Sequence, residues 1–385
     1  MKKTLLISIG ILILCIVIAV WTYLFIYGTP KNSAEVFTRF GVGGETVVPT
    51  TNEGATVDVK SETNSGSVQK LKQLTTRPVA GAGFTSSGIR YVEQGTGHIY
   101  EINLSTGSET IISGTTITQA FEAVFDGSAE YIAITSRTND GARTVVGKLS
   151  QASSTFESGI ALPNNATEVA FGNSTGTLFY VLKDTDGLSG YSYTVDTKSG
   201  TPLFAIPLRD VRVLWGNPVY VYTTPTREQE GYVYTVIKND LGYVATGGYG
   251  LTGISYPGGV VLTSLKNSKA ESTFYKKNGT SFTSTIPLMR EKCVFNSNTE
   301  SLYCATPGSL TDGVFPDDWY KGVISYSDVL WSVDITDGSA KLLSDLLSQS
   351  GRQIDIAHIG TDTEGKNIYF INKNDNTLWI FDTTL

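Results

Sequence analysis

The chain has 385 residues, a net charge of −7 and a pI near 5.0, with 40 Gly, 20 Tyr, 16 Phe and only 17% charged residues. No run of Lys and Arg stands ready to contact phosphates, which argues against a nucleic-acid partner. Aromatic and glycine content with few charges favours strands and turns over helices.

Residues 1–3 read as a short cytoplasmic stub. Residues 4–27 carry no charge, and at roughly 1.5 Å per residue they are long enough to cross about 30 Å of hydrocarbon. Trp21, Tyr23 and Tyr27 lie where an interfacial aromatic belt is expected. A cleaved signal peptide has a shorter apolar core and an Ala-x-Ala-like site, which is missing near Ala19 and Gly28. The expected arrangement is a single-pass cell-membrane anchor, and Lys2 and Lys3 place the N-terminus in the cytoplasm. Everything beyond residue 28 is then extracytoplasmic. Residues 28–66, rich in Gly, Thr, Ser, Asn and Glu, read as a flexible linker.

From residue 67 onward strand-like runs alternate with turn clusters, and only 341–349, KLLSDLLSQ, shows helical periodicity. Two short patterns recur. One is an aromatic strand, an Asp or Asn, three residues and a Gly: Asn103 to Gly107, Asp196 to Gly200 and Asp334 to Gly338, with a cut-off copy at 378–385. Its spacing suits a tight turn whose last position accepts positive φ. The other is a polar turn ahead of a strand rich in Tyr, Phe, Ile and Leu, at 125–134, 172–182, 296–305 and 361–371.

Together the two patterns make a unit of four strands, a to d. First strands centred on Phe84, Val124, Ala170, Leu214, Ser255, Val294 and Ala357 are spaced 40, 46, 44, 41, 39 and 63 residues apart. Such a period predicts an all-β fold, a seven-bladed β-propeller over residues 67–385. The long interval holds an insertion at 308–327. The last unit ends at Leu385 one strand short, and an open edge is a hazard. Residues 68–75 are the expected donor, pairing with 377–383 and closing the ring.

Segments such as TEGKNIYF and STGTLFYV resemble the blade signature of TolB-like and WD-repeat-like propellers of bacterial envelopes. The Trp-Asp dipeptide of true WD repeats is missing, and the turn Asp of TolB-like blades is replaced by Thr or Glu. The resemblance implies an extracytoplasmic propeller and leaves the partner open.

Cys293 and Cys304 fall opposite one another on a hairpin, and a disulfide there is expected. Closing so short a loop contributes about 2.5–3 kcal/mol in the chain-entropy model. GNSTG (172–176) and GYGLTG (248–253) match the letters of a nucleophile elbow and of a dinucleotide loop, but no helix follows either, so both read as turns. Asp184 and Asp186 are a weak Ca²⁺ candidate with two carboxylates where six or more ligands are needed; no other metal site and no cofactor is expected.

In a propeller the b-to-c and d-to-a connections share one face, and the tight a-to-b and c-to-d turns share the other. Long connections gather on the first face, so binding is expected there, at Arg227, Glu228, Phe315, Asp317, Asp318, Trp319 and Tyr320. An alternative for Trp319 is that it packs the insertion onto the ring. The functional expectation is a non-catalytic scaffold for a protein or another envelope component. The alternative is a polysaccharide-binding protein, hydrolase or lyase with a site in the central funnel.

Overall fold

The computed structural model describes residues 70–385 apart from 151–154, 173, 267–268 and 309–314. The expected membrane helix (4–27) and linker (28–66) lie outside the described residues. Among the described residues no helix is long and apolar enough to cross a membrane.

Strand β1 (Leu71–Gln73) opens the described chain, and the strands among the described residues form five antiparallel sheets of four strands and one of seven. The first sheet is β2 to β5 (Val79–Phe84, Gly88–Glu93, Ile99–Asn103, Glu109–Ser113), and the second is β6 to β9 (Ala120–Phe125, Tyr131–Thr138, Gly141–Ser150, Thr155–Ala161). The third is β10 to β13 (Ala166–Phe171, Thr177–Lys183, Leu188–Thr194, Ser199–Ile206). The seven-stranded sheet is β14 to β20 (Val211–Leu214, Val219–Thr223, Glu230–Ile237, Asp240–Tyr256, Gly259–Lys266, Lys269–Lys276, Ser281–Ser284). Next come β21 to β24 (Cys293–Asn296, Ser301–Pro307, Asp328–Asp334, Ala340–Asp345) and β25 to β27 (Ile356–Thr361, Asn367–Asn372, Leu378–Asp382).

The seven-stranded sheet arises from one strand. β17 pairs with β16 through residues 240–249 and with β18 through 249–256, with an irregularity between Tyr249 and Thr252. The bend uses Gly248 and Gly250, at φ 76° and 63°, a region that costs a side chain energy and glycine nothing. GYGLTG was expected to be a turn, and it is instead a bend inside a continuous strand.

All seven expected first-strand centres fall on strands: Phe84 on β2, Val124 on β6, Ala170 on β10, Leu214 on β14, Ser255 on β17, Val294 on β21 and Ala357 on β25. β2 packs beside β6, β6 beside β10, β14 beside β17, β21 beside β25 and β25 beside β2. At Gly81 on β2 the approach is so close that a Cβ would sit 1.9 Å from the Ala123 carbonyl oxygen on β6, so only glycine fits. Apolar clusters fill the spaces between successive sheets; Leu71, Tyr303, Ile356, Phe370 and Phe381 form one of them.

Closure joins the expected segments: Leu71 pairs with Phe381, Lys72 with Ile380 and Gln73 with Trp379. The tight turns are held by side chains. Asn103 Oδ1 accepts from the Ser105 and Thr106 amides, and Asp334 Oδ1 from the Thr336 amide. Gly107 and Gly338 have φ of 71° and 76°, as the spacing requires. The middle copy departs, because Lys198 at φ 52° takes the left-handed position and Gly200 does not. The a-to-b turns are capped by Asp126, Asn296 and Asp362, which accept from amides of the following residues. Residues 341–349 divide between the end of β24 and the short helix α2 (Leu346–Ser350), where Asp345 caps the Leu347 and Ser348 amides. The strand wins there because β24 is needed to cover β23, so the helical periodicity survives for one turn only.

Leu71 is buried at 8% exposure against the last sheet. Replacing Leu71 with Ala is expected to lower unfolding free energy by about 2–3 kcal/mol. Chemical denaturation checks this, with Thr106→Ala at an exposed turn expected to stay within about 0.5 kcal/mol.

Candidate functional site in the central funnel

The inner strands surround a cavity of about 570 Å³ at the end where they begin, which is the face of the b-to-c and d-to-a connections. Bulges shape this end. β2, β6, β10 and β25 each lose register near their first residues, between Val79 and Gly81, Ala120 and Glu122, Thr167 and Ala170, and Ile356 and His358, and β17 does so midway, at its bend between Tyr249 and Thr252. A bulge inserts one residue and re-aims its neighbours. Glu122, Glu168 and His358 sit at such places and line the cavity.

Glu168 is the centre of the arrangement. Its backbone is left-handed at φ 52°, and the Trp215 indole Nε1–H donates to its carbonyl at 2.6 Å. One carboxylate oxygen accepts from Arg212 Nε on β14, and the other accepts from Arg290 Nη1 at 2.7 Å. Arg290 lies just before β21, so this pair links two sheets that are not neighbours in the ring. Burial opposes the charge on Arg290, but the Glu168 and Glu291 carboxylates outweigh it and hold the guanidinium above its ordinary range. Glu291 accepts from the Tyr320 hydroxyl at 2.9 Å, and burial, reinforced by Glu291, pushes the Tyr320 phenol well above its usual value. Beside them the Tyr222 hydroxyl is buried with no hydrogen-bond partner among the described residues.

The segment Arg290 to Cys293 is pinned from behind. Arg290–Lys292 form a 3₁₀ turn. Lys292, fully buried, donates to Asp328 and Asp355 at 2.5 Å each, and both carboxylates are also fully buried. Burial raises Asp328 above the ordinary carboxylate range against the pull of Lys292. Cys293 is disulfide-bonded to Cys304 as expected, in the expected register. Arg290 and Glu291 thus line the funnel, while Lys292 and the disulfide directly after them anchor the turn.

The insertion is held by one of these carboxylates, Asp355. The Trp319 indole donates to both oxygens of Asp355 at 2.9 Å, and the Tyr326 amide donates to one of them at 3.2 Å. Lys373 donates to the Trp319 and Ile324 carbonyls, and its Nζ lies 4.3 Å from the centre of the Trp319 ring. Phe315 and Trp319 are buried, at 6% and 4% exposure. Phe315 was expected on a binding surface and instead packs the insertion onto the ring with Met289 and Tyr326; Trp319 packs there too, which is the alternative expected for it, because these apolar side chains find a dry site there. Asp317 and Asp318 lie on the short helix α1 (Asp317–Tyr320), and Asp317 accepts from the Arg227 amide at 2.9 Å, joining the insertion to the β15–β16 connection. Tyr320 turns into the funnel. Arg227 and Glu228 remain exposed beside the insertion.

Asp184 and Asp186 are exposed in the β11–β12 connection, and no group of three or more His, Cys, Asp or Glu side chains suited to a metal occurs among the described residues. Sequence reasoning missed the Glu168, Arg212, Arg290 and Glu291 cluster. The one visible signal was the charged run Arg290-Glu291-Lys292 directly before an inner strand.

Solved structures of similar fold make the architecture plain. The chain is similar to a component of the mitotic checkpoint complex, at 7% identity and TM-score 0.54 over 88% of this chain and 99% of that one. It is similar to oligogalacturonate lyase in complex with manganese, at 11% identity and TM-score 0.54 over 81% and 92%. It is also similar to the β-propeller domain of the Trilobed protease from Pyrococcus furiosus, at 11% identity and TM-score 0.52 over 79% and 95%. The fold is a β-propeller. At these identities the likeness concerns fold alone, and both enzymes and non-enzymes share it. No protein-family model and no curated protein matches the sequence.

Replacing Lys292 with Met leaves Asp328 and Asp355 facing each other in a dry site. The expected cost is about 3–5 kcal/mol, read as a lowered denaturation midpoint. The triple variant Lys292→Met, Asp328→Asn, Asp355→Asn is expected to recover much of the loss. An unchanged midpoint for Lys292→Met would contradict the anchoring role.

Proposed function

We propose that the chain is a membrane-tethered, extracytoplasmic propeller of seven blades that binds a partner protein through its long-loop face without catalysing a reaction. In this reading β17 is the outer strand of the fourth blade and the inner strand of the fifth, which makes seven blades from six sheets. Residues 4–27 form the anchor and 28–66 the linker to the propeller at 67–385.

The observation that carries the reading is the anchorage of residues 315–326. Buried Trp319, the buried Asp355 carboxylate and Lys373 fix this long connection, so the surface it presents is preorganised, which lowers the entropic cost of binding. Its rim offers Arg227, Glu228 and Lys321 as exposed charges, and Val323 and Leu347 as exposed apolar groups at 69% and 45%. The opposite face carries short turns capped by their own side chains, such as those at Asn103, Asp126 and Asp334. Glu168 supports the non-catalytic part of the reading, since both of its oxygens are occupied by guanidinium groups.

Photo-crosslinking amino acids in the full-length chain, in its own membrane, test the reading. Substitution at Arg227, Lys321 or Val323 is expected to give a discrete protein adduct, and substitution at Thr106 or Asn278 on the tight-turn face is expected to give none. Adducts from the tight-turn positions alone, or indifferent to face, would overturn it. Protease added outside sealed cells is expected to reach the propeller, and protection would contradict the topology.

A further inference from the structure

We infer that Arg212 is the recognition residue of the funnel and that it takes a carboxylate from an acidic side chain of the partner protein; this rests on the function proposed above. Arg212 lines the cavity, with its side chain 34% exposed. Only its Nε is committed, to Glu168, and neither terminal nitrogen has a hydrogen-bond partner among the described residues. A guanidinium held at Nε presents its two terminal N–H groups as a fork, the geometry that receives a carboxylate with two parallel hydrogen bonds.

The surroundings fix this fork before any ligand arrives. Glu168 is held in turn by Arg290, by its bulge and by Trp215, so Arg212 is oriented by a chain of contacts. Two guanidinium groups share the single Glu168 carboxylate, and the other nearby carboxylate, Glu291, accepts from Tyr320. Glu168 and Glu291 together balance the charge of the two guanidinium groups, so an incoming carboxylate is received by the unfilled fork of Arg212 and not by an excess of positive charge. Glu122 faces the cavity from β6 and disfavours a ligand of high negative charge, so one acidic side chain fits better than a polyanion.

Full-length protein in detergent, with isotope-labelled arginine, tests the inference by magnetic resonance of the guanidinium groups. The probes are a capped Gly-Ser-Glu-Ser-Gly peptide, its Gln counterpart, trigalacturonate and inorganic phosphate, at one fixed salt concentration. The Glu peptide is expected to shift the Arg212 signals saturably, and the Gln peptide to leave them in place. R212K, which keeps the charge and loses the fork, is expected to weaken the Glu peptide at least about ten-fold, read from the neighbouring Arg290 signals in both proteins, with the melting temperature unchanged. Equal responses to the Glu and Gln peptides would overturn the inference without recourse to any variant. So would unaltered affinity in R212K. Binding of trigalacturonate or phosphate, with no response to the Glu peptide, would overturn the assignment to a protein partner. If crosslinks from Arg227 or Val323 persist while Arg212 fails to respond, this inference falls and the long-loop face stands.

Discussion

The fully buried Lys292, between Asp328 and Asp355, is the constraint on which the functional end of this propeller depends. Charges removed from water are tolerated only when paired and hydrogen-bonded, and here the pairing is shared among four parts of the chain. Lys292 comes from the turn before β21, Asp328 from the start of β23 and Asp355 from the approach to β25, while Trp319 adds the insertion. Asp328 also accepts from the Ile356 amide, so a third hydrogen bond ties the β25 backbone to the same point. A site of this kind admits one arrangement of its parts, because any slip leaves a charge dry and alone.

The buried cluster in turn sets the position of Arg290 and Glu291. They precede Lys292 in sequence, and the disulfide at Cys293 comes directly after it, so the two funnel residues are held on a short turn pinned at its C-terminal side. Arg290 then reaches Glu168 on a sheet that is not its neighbour, and Glu291 meets Tyr320 from the insertion. Recognition on a rigid scaffold requires this division of labour, with buried groups that fix geometry and partly exposed groups that face the ligand.

The repeat was legible because it rests on local chemistry. Tight turns demand Asx, Gly and polar residues at set spacings, and strands between them demand aromatic and branched side chains, so Phe84 to Ala357 could be placed on first strands and the segment 68–75 beside 377–383 before any contact was known. The Cys293–Cys304 register was legible for the same reason, as a hairpin property. The funnel was not legible, because alternation along a strand says which residues share a face only while the register is unbroken. Bulges near Glu122, Glu168 and His358 break it where side chains enter the cavity. The Lys292 cluster joins residues up to 63 apart in sequence, and no local pattern encodes that meeting.

Trp319 illustrates the distinction most directly. An aromatic residue in a long connection reads as a contact for a partner, and its chemistry is the same whether it faces outward or inward. The deciding factor is Asp355, whose buried carboxylate needs donors that water cannot supply; the indole N–H of Trp319 and the amide of Tyr326 meet that need, and Lys373 closes over the ring. With the aromatic group consumed as an anchor, the charged side chains left exposed or partly exposed on this face are Arg227 and Glu228 at the rim and Arg212 in the funnel. The long connection is therefore fixed to the ring by its own most conspicuous residues, Phe315 and Trp319, which face the protein interior and not the solvent.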